Sequence, residues 1–109
     1  MPRHEFGLMP QAPRAHERYD QYEPERYGCI SVDDTLIEEI VPKLMAVDFY
    51  WHTVDRPAKG LAYCGVTLLP PESLGAVRGA IGDREAFRQF RELLQLAEAE
   101  NKFVIHFGI

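Results

Sequence analysis

The sequence lacks the motifs that identify most small catalytic or cofactor-binding domains. It contains no glycine-rich phosphate loop of the GxGxxG or GxxxxGK[ST] type, no GxSxG and no HExxH. Its only two cysteines, Cys29 and Cys64, form no CxxC pair and have no histidine at zinc-ligand spacing. We therefore expect neither a cofactor nor a metal ion.

Positive charge is also scarce. The chain has 12 Lys and Arg residues against 17 Asp and Glu residues, which gives a formal net charge of −5 at pH 7. Affinity for nucleic acid comes mostly from Lys and Arg side chains that replace condensed counterions. The charge balance thus argues against nucleic acid, and its sign disfavours anionic membrane surfaces.

Long apolar runs are missing as well. No segment approaches the roughly 20 apolar residues that a membrane-spanning helix needs, and residues 1–14 lack the apolar core of roughly 7 to 15 residues found in signal peptides. We expect a cytoplasmic protein, in which thiols are normally reduced.

The composition, with 46% hydrophobic residues in 109, fits one domain that buries a core without disulfides. Residues 1–26 hold four of the eight prolines and show no helical or strand period. They contain several aromatic residues, however, which disordered tails usually lack. We predict an extended N-terminal arm over residues 1–26, laid across the domain or a partner, and a single domain over residues 27–109.

The strand prediction starts from residues 60–69, GLAYCGVTLL, an uncharged run bounded by glycine and proline that is typical of a strand buried on both faces. Residues 27–32, 47–54 and 102–107 give three further strands. Apolar residues at helical spacing occupy residues 33–41, 70–81 and 83–101.

The predicted order is β-α-β-β-α-β, which resembles the ferredoxin-like split βαβ arrangement in topology only. The fold class is then α+β, with a four-stranded antiparallel sheet that carries its helices on one face. That arrangement places the first and third strands in the centre, and the alternative is an open α+β meander.

The second face of this sheet should be open, because each strand turns its more apolar side chains toward the helices. The outward side chains are mainly tyrosines, histidines and hydroxyl residues. On the four strands they include Tyr27, Cys29, Ser31, Tyr50, His52, Tyr63, Thr67 and His106. Such a face offers stacking surfaces and hydrogen-bond donors to a ligand or a protein, unless the arm or a second subunit covers it.

Two residues of this face are candidates for catalysis. Cys29 and His106 are predicted on neighbouring strands and on the same face, where an imidazole could activate a thiolate. The alternative is that Cys29 is simply a small packed side chain. Cys64 is predicted to face the helices, so we expect no disulfide between the two cysteines.

Other polar residues receive structural interpretations. The acidic residues Asp33, Asp34, Glu38 and Glu39 lack the alternation and glycine turn of a calcium loop, and we interpret them as helix-capping or solvated groups. His4 and His16 have no neighbouring ligands at useful spacing, and we assign them no role.

Two functional hypotheses follow. The first is a small, non-catalytic binding protein that engages a second copy or a dedicated partner through its open sheet face and arm, with Tyr19 and Tyr22 as contacts. Its acidity would suit a basic partner, such as a toxin or nuclease. The second is a small enzyme or metabolite-binding domain with a site on the open face, completed by a second subunit. A closed cavity with a shifted histidine or Cys29 pKa would favour the second hypothesis, and an arm-covered face the first.

Overall fold

The computed structural model describes residues 2–109 and confirms an α+β protein with an antiparallel sheet. The strands are β1 (Arg3–Leu8), β2 (Ile30–Asp33), β3 (Asp48–Trp51), β4 (Pro57–Lys59), β5 (Val66–Leu69) and β6 (Val104–Phe107). The helices are α1 (Asp34–Leu44), α2 (Leu74–Ile81) and α3 (Arg88–Glu100). Short 3₁₀ turns occupy residues 24–27, 71–73 and 85–87.

The sheet has six strands in the order β2-β1-β6-β5-β3-β4, and all neighbouring pairs are antiparallel. The prediction of four strands is therefore wrong. The ferredoxin-like order is not observed either, because the first predicted strand, β2, lies at one edge, with β1 and β6 between it and β5. The placement of residues 66–69 in the middle of the sheet is correct, but residues 61–65 of the predicted strand form a loop and turn.

Strand β1 corrects the prediction that all of residues 1–26 form an arm. It pairs with β2 on one side and β6 on the other, so its backbone groups are bonded within the sheet. Its Phe6 side chain is fully buried, and the centre of the Phe6 ring lies 4.1 Å from the centre of the Phe90 ring on α3. Pairing with two neighbouring strands stabilises β1. Its sequence does not predict a strand, because only Phe6 and Leu8 show the alternation of apolar residues.

The three helices pack on one face of the sheet and enclose the larger core. The sheet contributes aromatic and branched side chains to it, and the helices contribute their apolar stripes. Its main members are Phe6, Val32, Phe49, Leu69 and Val104 from the strands and Ile37, Ile40, Leu44, Leu74, Val77, Ile81, Phe90, Leu94 and Ala97 from the helices.

The other face of the sheet is not open, because residues 9–29 run across it. We call these residues the covering segment. Met9 and Tyr27 from this segment form a second buried cluster with Val66, Leu68, Ile105 and Phe107. The backbone N–H of Met9 donates to the Phe103 carbonyl at 3.0 Å, and that of Tyr19 donates to the His52 carbonyl at 2.8 Å. The expectation of an open polar face is therefore wrong, and the stated alternative, that the N-terminal arm covers this face, is what the structure shows.

The facing of the two central strands is also opposite to the prediction. Thr67 and His106 point toward the helices with Phe6, whereas Val66, Leu68, Ile105 and Phe107 point toward the covering segment. All eight residues of β5 and β6 are buried, so neither strand shows an alternation that marks one face. A one-residue error in register then exchanges the two faces.

Candidate functional site

A chain of hydrogen bonds crosses the sheet on its helix-covered face. Thr67 Oγ1 lies 3.0 Å from His106 Nδ1, and His106 Nε2 lies 2.9 Å from His4 Nδ1. His4 Nε2 lies 2.9 Å from Asp34 Oδ1 at the start of α1. The pairing of β1 with β6 and of β6 with β5 brings these residues together, and Thr67, His106 and His4 are fully buried. Substrate therefore has no access to the three inner residues.

The direction of the hydrogen bonds in this chain follows from the Asp34 carboxylate, which only accepts. His4 therefore donates from Nε2, and a neutral His4 accepts at Nδ1 from His106. A neutral His106 in turn accepts at Nδ1 from the Thr67 hydroxyl. Thr67 Oγ1 also accepts the Ala62 N–H at 2.8 Å. Every ring nitrogen then has a partner, as buried polar groups require.

Burial, and secondly the neighbouring His4, lower the pKa of His106 to about 3. At neutral pH His106 is therefore uncharged, as the hydrogen-bond order requires. At the outer end, a hydrogen bond from the Tyr63 hydroxyl, followed by that from His4, lowers the pKa of Asp34. The same bond raises the pKa of Tyr63, whose hydroxyl also lies 3.4 Å from Glu38 Oε1. The chain thus joins an ionised carboxylate at its outer end to the uncharged imidazole of His106 inside.

The helix-capping interpretation of Asp33 and Asp34 is not supported. Asp33 occupies the position before α1 but makes no side-chain capping bond. Asp34 instead uses its carboxylate to bind His4 and Tyr63. His4, to which we assigned no role, is the central residue of the buried chain. The sequence around His4 does not predict this role, because it does not predict strand β1.

The predicted catalytic pair does not form. Cys29, the last residue of the covering segment, packs with the second cluster, whereas His106 points toward the helices. Strand β1 lies between β6, which carries His106, and β2, which follows Cys29. Burial, with a smaller contribution from Glu5, raises the pKa of the Cys29 thiol to about 12. A thiol that remains protonated at neutral pH is a poor nucleophile. The packed, structural interpretation of Cys29 fits this environment.

Tyr19 and Tyr22, predicted in the arm, and Tyr27, predicted on the first strand, occupy different depths of the covering segment. Tyr27 is buried in the cluster, Tyr19 is partly buried against it, and Tyr22 is 65% exposed. The Tyr22 ring meets Phe107 edge-on at 5.6 Å, and its hydroxyl donates to Glu5. The segment therefore fixes Tyr22 in position while leaving most of it in contact with solvent.

Two adjacent cavities open within and beneath the covering segment. One has a volume of about 400 Å³ and the other about 230 Å³, and Glu17, Tyr19, Arg26 and Tyr27 line both. The Arg26 guanidinium carbon lies 5.2 Å from the centre of the Tyr27 ring, and an Arg26 nitrogen lies 3.2 Å from a Glu23 carboxylate oxygen. These walls combine aromatic surface with paired charges, which is typical of polar protein interfaces.

Ser31 and Tyr50, the remaining predicted binding residues, lie apart from these cavities. Tyr50 is half-buried on the covered face, with its ring 6.3 Å from that of Phe103. Ser31 is exposed on the edge strand β2 and lines a cavity of about 190 Å³ beside the start of α3. The predicted residues therefore do not form one site.

His52 lies at the edge of the covered face, in a recess of about 160 Å³ that it shares with Asp20, Tyr22, Cys64, Gly65 and Phe107. His52 Nδ1 lies 2.8 Å from Asp20 Oδ1, which is close enough for an ion pair. The two atoms are not aligned for a hydrogen bond, so Nδ1 has no hydrogen-bond partner. Cys64 is exposed on the turn before β5, not turned toward the helices as predicted. The sequence signal for this turn is the pair of glycines, Gly60 and Gly65, within the run assigned to one strand.

Both cysteines are free in the structure. Among residues 2–109, no group of three or more His, Cys, Asp and Glu side chains is placed to hold a metal ion. Within the same residues, no helix has both the length and the apolar character needed to cross a membrane. Comparison of the chain with protein-family models, with curated proteins and with solved structures finds no match.

Proposed function

We propose that the chain is a small, non-catalytic binding protein that contacts a protein partner through its covering segment. The observation that carries this proposal is the placement of residues 9–29 over the sheet face. Whatever approaches the molecule from this side meets the covering segment and not the strands. The contact surface is therefore irregular backbone with polar and aromatic side chains, which is common for recognition loops on a rigid scaffold.

Tyr22 is the side chain on which this surface is centred. It is large, 65% exposed and held by contacts to Phe107 and Glu5, so little conformational entropy remains to be lost when a partner binds. Rigid aromatic side chains of this kind dominate the energetics of many interfaces. Around it, an Arg18 nitrogen lies 2.7 Å from an Asp20 oxygen, which adds a polar rim of paired charges.

The chemistry of the candidate catalytic residues also favours binding over catalysis. Cys29 has a pKa raised to about 12, and His106 is neutral and fully buried. An enzyme site on the sheet face would first require the covering segment to leave. The net charge of −5 suits a partner with a basic surface, and we place the interaction in the cytoplasm, where the two free thiols would persist.

The test is affinity capture from the source cells, with quantitative mass spectrometry, for the wild type and two matched variants. Tyr22→Ala removes the exposed aromatic of the covering segment. Leu96→Ala removes an exposed apolar side chain, 46% exposed, from α3 on the opposite side. We expect a partner that is retained by Leu96→Ala and reduced at least about tenfold by Tyr22→Ala, the size of a single hot-spot loss.

Native mass spectrometry of the captured material distinguishes a second copy of the chain from a different polypeptide. A partner that Tyr22→Ala retains at the wild-type level contradicts the proposal. So does a partner lost only with Leu96→Ala, because it would place the interface on the helices. Circular dichroism of both variants establishes that neither loss reflects unfolding.

A further inference from the structure

The two edges of the sheet differ in how well they resist pairing with another strand. Strand β4 forms one edge. The Gly60 N–H donates to the Val47 carbonyl at 3.0 Å, and bonded pairs alternate along antiparallel strands, so the outward backbone groups of β4 belong to Pro57 and Lys59. Proline has no N–H to offer, and a lysine on an edge strand discourages strand addition. The β4 edge is therefore protected.

Strand β2, at the other edge, carries neither proline nor lysine. The Asp34 N–H donates to the Pro2 carbonyl at 3.1 Å, which makes these two residues a hydrogen-bonded pair at the end of the β1–β2 ladder. Because bonded and non-bonded pairs alternate, Ile30 and Val32 are bonded to β1. The N–H and the carbonyl of Ser31, between them, point away from the sheet.

The backbone groups of this edge that have no partner within residues 2–109 form a short set. Ser31 offers both its N–H and its carbonyl. Asp33 offers only its N–H, because as the residue before α1 its carbonyl accepts the first hydrogen bond of that helix. Cys29 offers only its carbonyl, because its N–H already donates to the Pro24 carbonyl at 3.1 Å. The edge therefore carries a lone donor at one end, a lone acceptor at the other, and one of each in the middle.

We propose that β2 is a dimer interface, at which it pairs antiparallel with β2 of a second copy of the chain about a two-fold axis at Ser31. In this register the two Ser31 residues exchange both of their backbone hydrogen bonds, and the Asp33 N–H of each copy donates to the Cys29 carbonyl of the other. Every group of the set is then bonded. A regular strand from another protein would also present a carbonyl to Cys29 and an N–H to Asp33, which this edge cannot satisfy. The pattern therefore fits a second copy best.

The side chains that meet across this interface also suit one another. On the helix-covered face, Ile30 lies opposite Val32 of the second copy, a favourable pair of β-branched residues, beside the cavity of about 190 Å³ at the start of α3. On the face that the covering segment crosses, the two Ser31 hydroxyls meet at the axis, and Asp33 lies opposite Cys29. No like charges are paired. The net charge of −5 on each copy gives a longer-range repulsion, which physiological salt screens.

The test is sedimentation velocity of the whole protein in about 0.15 M salt, at concentrations from about 1 to 200 μM, which cover micromolar dissociation constants. We expect the wild type to dimerise. Ser31→Pro removes the outward N–H and leaves the β1–β2 hydrogen bonds in place. It should weaken dimerisation at least about tenfold, since each copy loses one bond to the other. The matched control is Lys59→Pro, which places a proline at an outward position of β4 and should stay within about twofold of the wild type.

Amide hydrogen exchange of the wild type, followed by mass spectrometry, gives a second test that needs no variant. We expect exchange in residues 30–34 to slow several-fold between the lowest and the highest concentration, and exchange in residues 57–60 to be the same at both. A wild type that stays monomeric, or unchanged exchange in residues 30–34, overturns the proposal. So does a Ser31→Pro protein that is folded by circular dichroism and dimerises as well as the wild type or the Lys59→Pro control. Dimerisation that Tyr22→Ala abolishes and Ser31→Pro retains also overturns it, because the second copy would then bind the covering segment.

Discussion

The buried chain from Thr67 to Asp34 can be tested with the substitution Thr67→Val. Valine matches threonine in shape, so the change creates no cavity and removes only the hydroxyl. In the folded protein that hydroxyl lies 3.0 Å from His106 Nδ1 and accepts the Ala62 N–H at 2.8 Å. Both groups would remain buried without a partner, because Thr67 is fully buried and leaves no route for water.

The expected cost follows from these two orphaned groups. Each buried polar group left without a partner costs about 1 to 3 kcal/mol, and the added apolar methyl contact offsets less than one such penalty. We therefore expect Thr67→Val to lower the free energy of unfolding by about 2 to 4 kcal/mol. This is a large part of the roughly 5 to 15 kcal/mol by which domains of this size are stable.

Urea unfolding at pH 7, followed by circular dichroism, measures this change. With a slope of about 1 to 1.5 kcal/mol per molar urea for a small domain, the midpoint should fall by roughly 2 M. Thr35→Val is the matched control, since Thr35 is exposed on α1 and should change stability by less than about 0.5 kcal/mol. If Thr67→Val unfolds at the wild-type midpoint, the Thr67 hydroxyl does not satisfy buried groups, and the proposed hydrogen-bond order is wrong.

Three further predictions concern stability. Because the pKa of His106 is held at about 3, the unfolded chain takes up a proton below about pH 6.5 that the folded chain excludes, and stability should fall by about 1.4 kcal/mol per pH unit from there toward pH 4.5. Urea midpoints at pH 7, 6 and 5 measure this, and a flat profile would refute it. A Cβ at Gly7 would lie 2.7 Å from Cys29 Sγ. Gly7→Ala should therefore destabilise the fold by roughly 1 to 3 kcal/mol and speed the alkylation of Cys29. An unchanged alkylation rate would contradict the packing of the covering segment. Leu68→Ala, beneath that segment, should lower the free energy of unfolding by about 2 to 5 kcal/mol, and Leu96→Ala at an exposed position by less than about 1 kcal/mol. Thermal unfolding of the two variants compares these losses. Equal losses would show that the second cluster is not a core.

Sequence patterns predicted the elements that carry a strong period. The helical spacing of apolar residues located α1, α2 and α3, and β2, β3, β5 and β6 each lie wholly or mostly within a predicted strand. The sequence does not predict strand β1, because its six residues form a strand only through hydrogen bonds to the neighbouring strands on both sides. Strand β4 was missed because its three residues begin with Pro57 in a segment with turn composition.

The predicted site residues do not share one surface, first because the central strands face the opposite way. A strand that is apolar on both sides carries no information about which side meets the helices. Once β5 and β6 were given the wrong facing, Thr67 and His106 were assigned to an outer surface, although both are fully buried. Val66 and Phe107 were assigned to the helix side. His52 and Tyr22 belong to loops, so their environment depends on tertiary packing.

The covering segment connects the stability of this fold to its proposed function. It is anchored by Met9 near its beginning and Tyr27 near its end, while most side chains between them are exposed. Regions with few buried apolar contacts and many exposed backbone groups open at lower free energy than the global fold. In the proposed function, Tyr22 stays held by Phe107 and Glu5 while the exposed backbone around it opens at lower free energy, and the buried chain at His4 and His106 keeps the sheet beneath it fixed. Binding and rigidity are in this way assigned to opposite faces of the same two central strands.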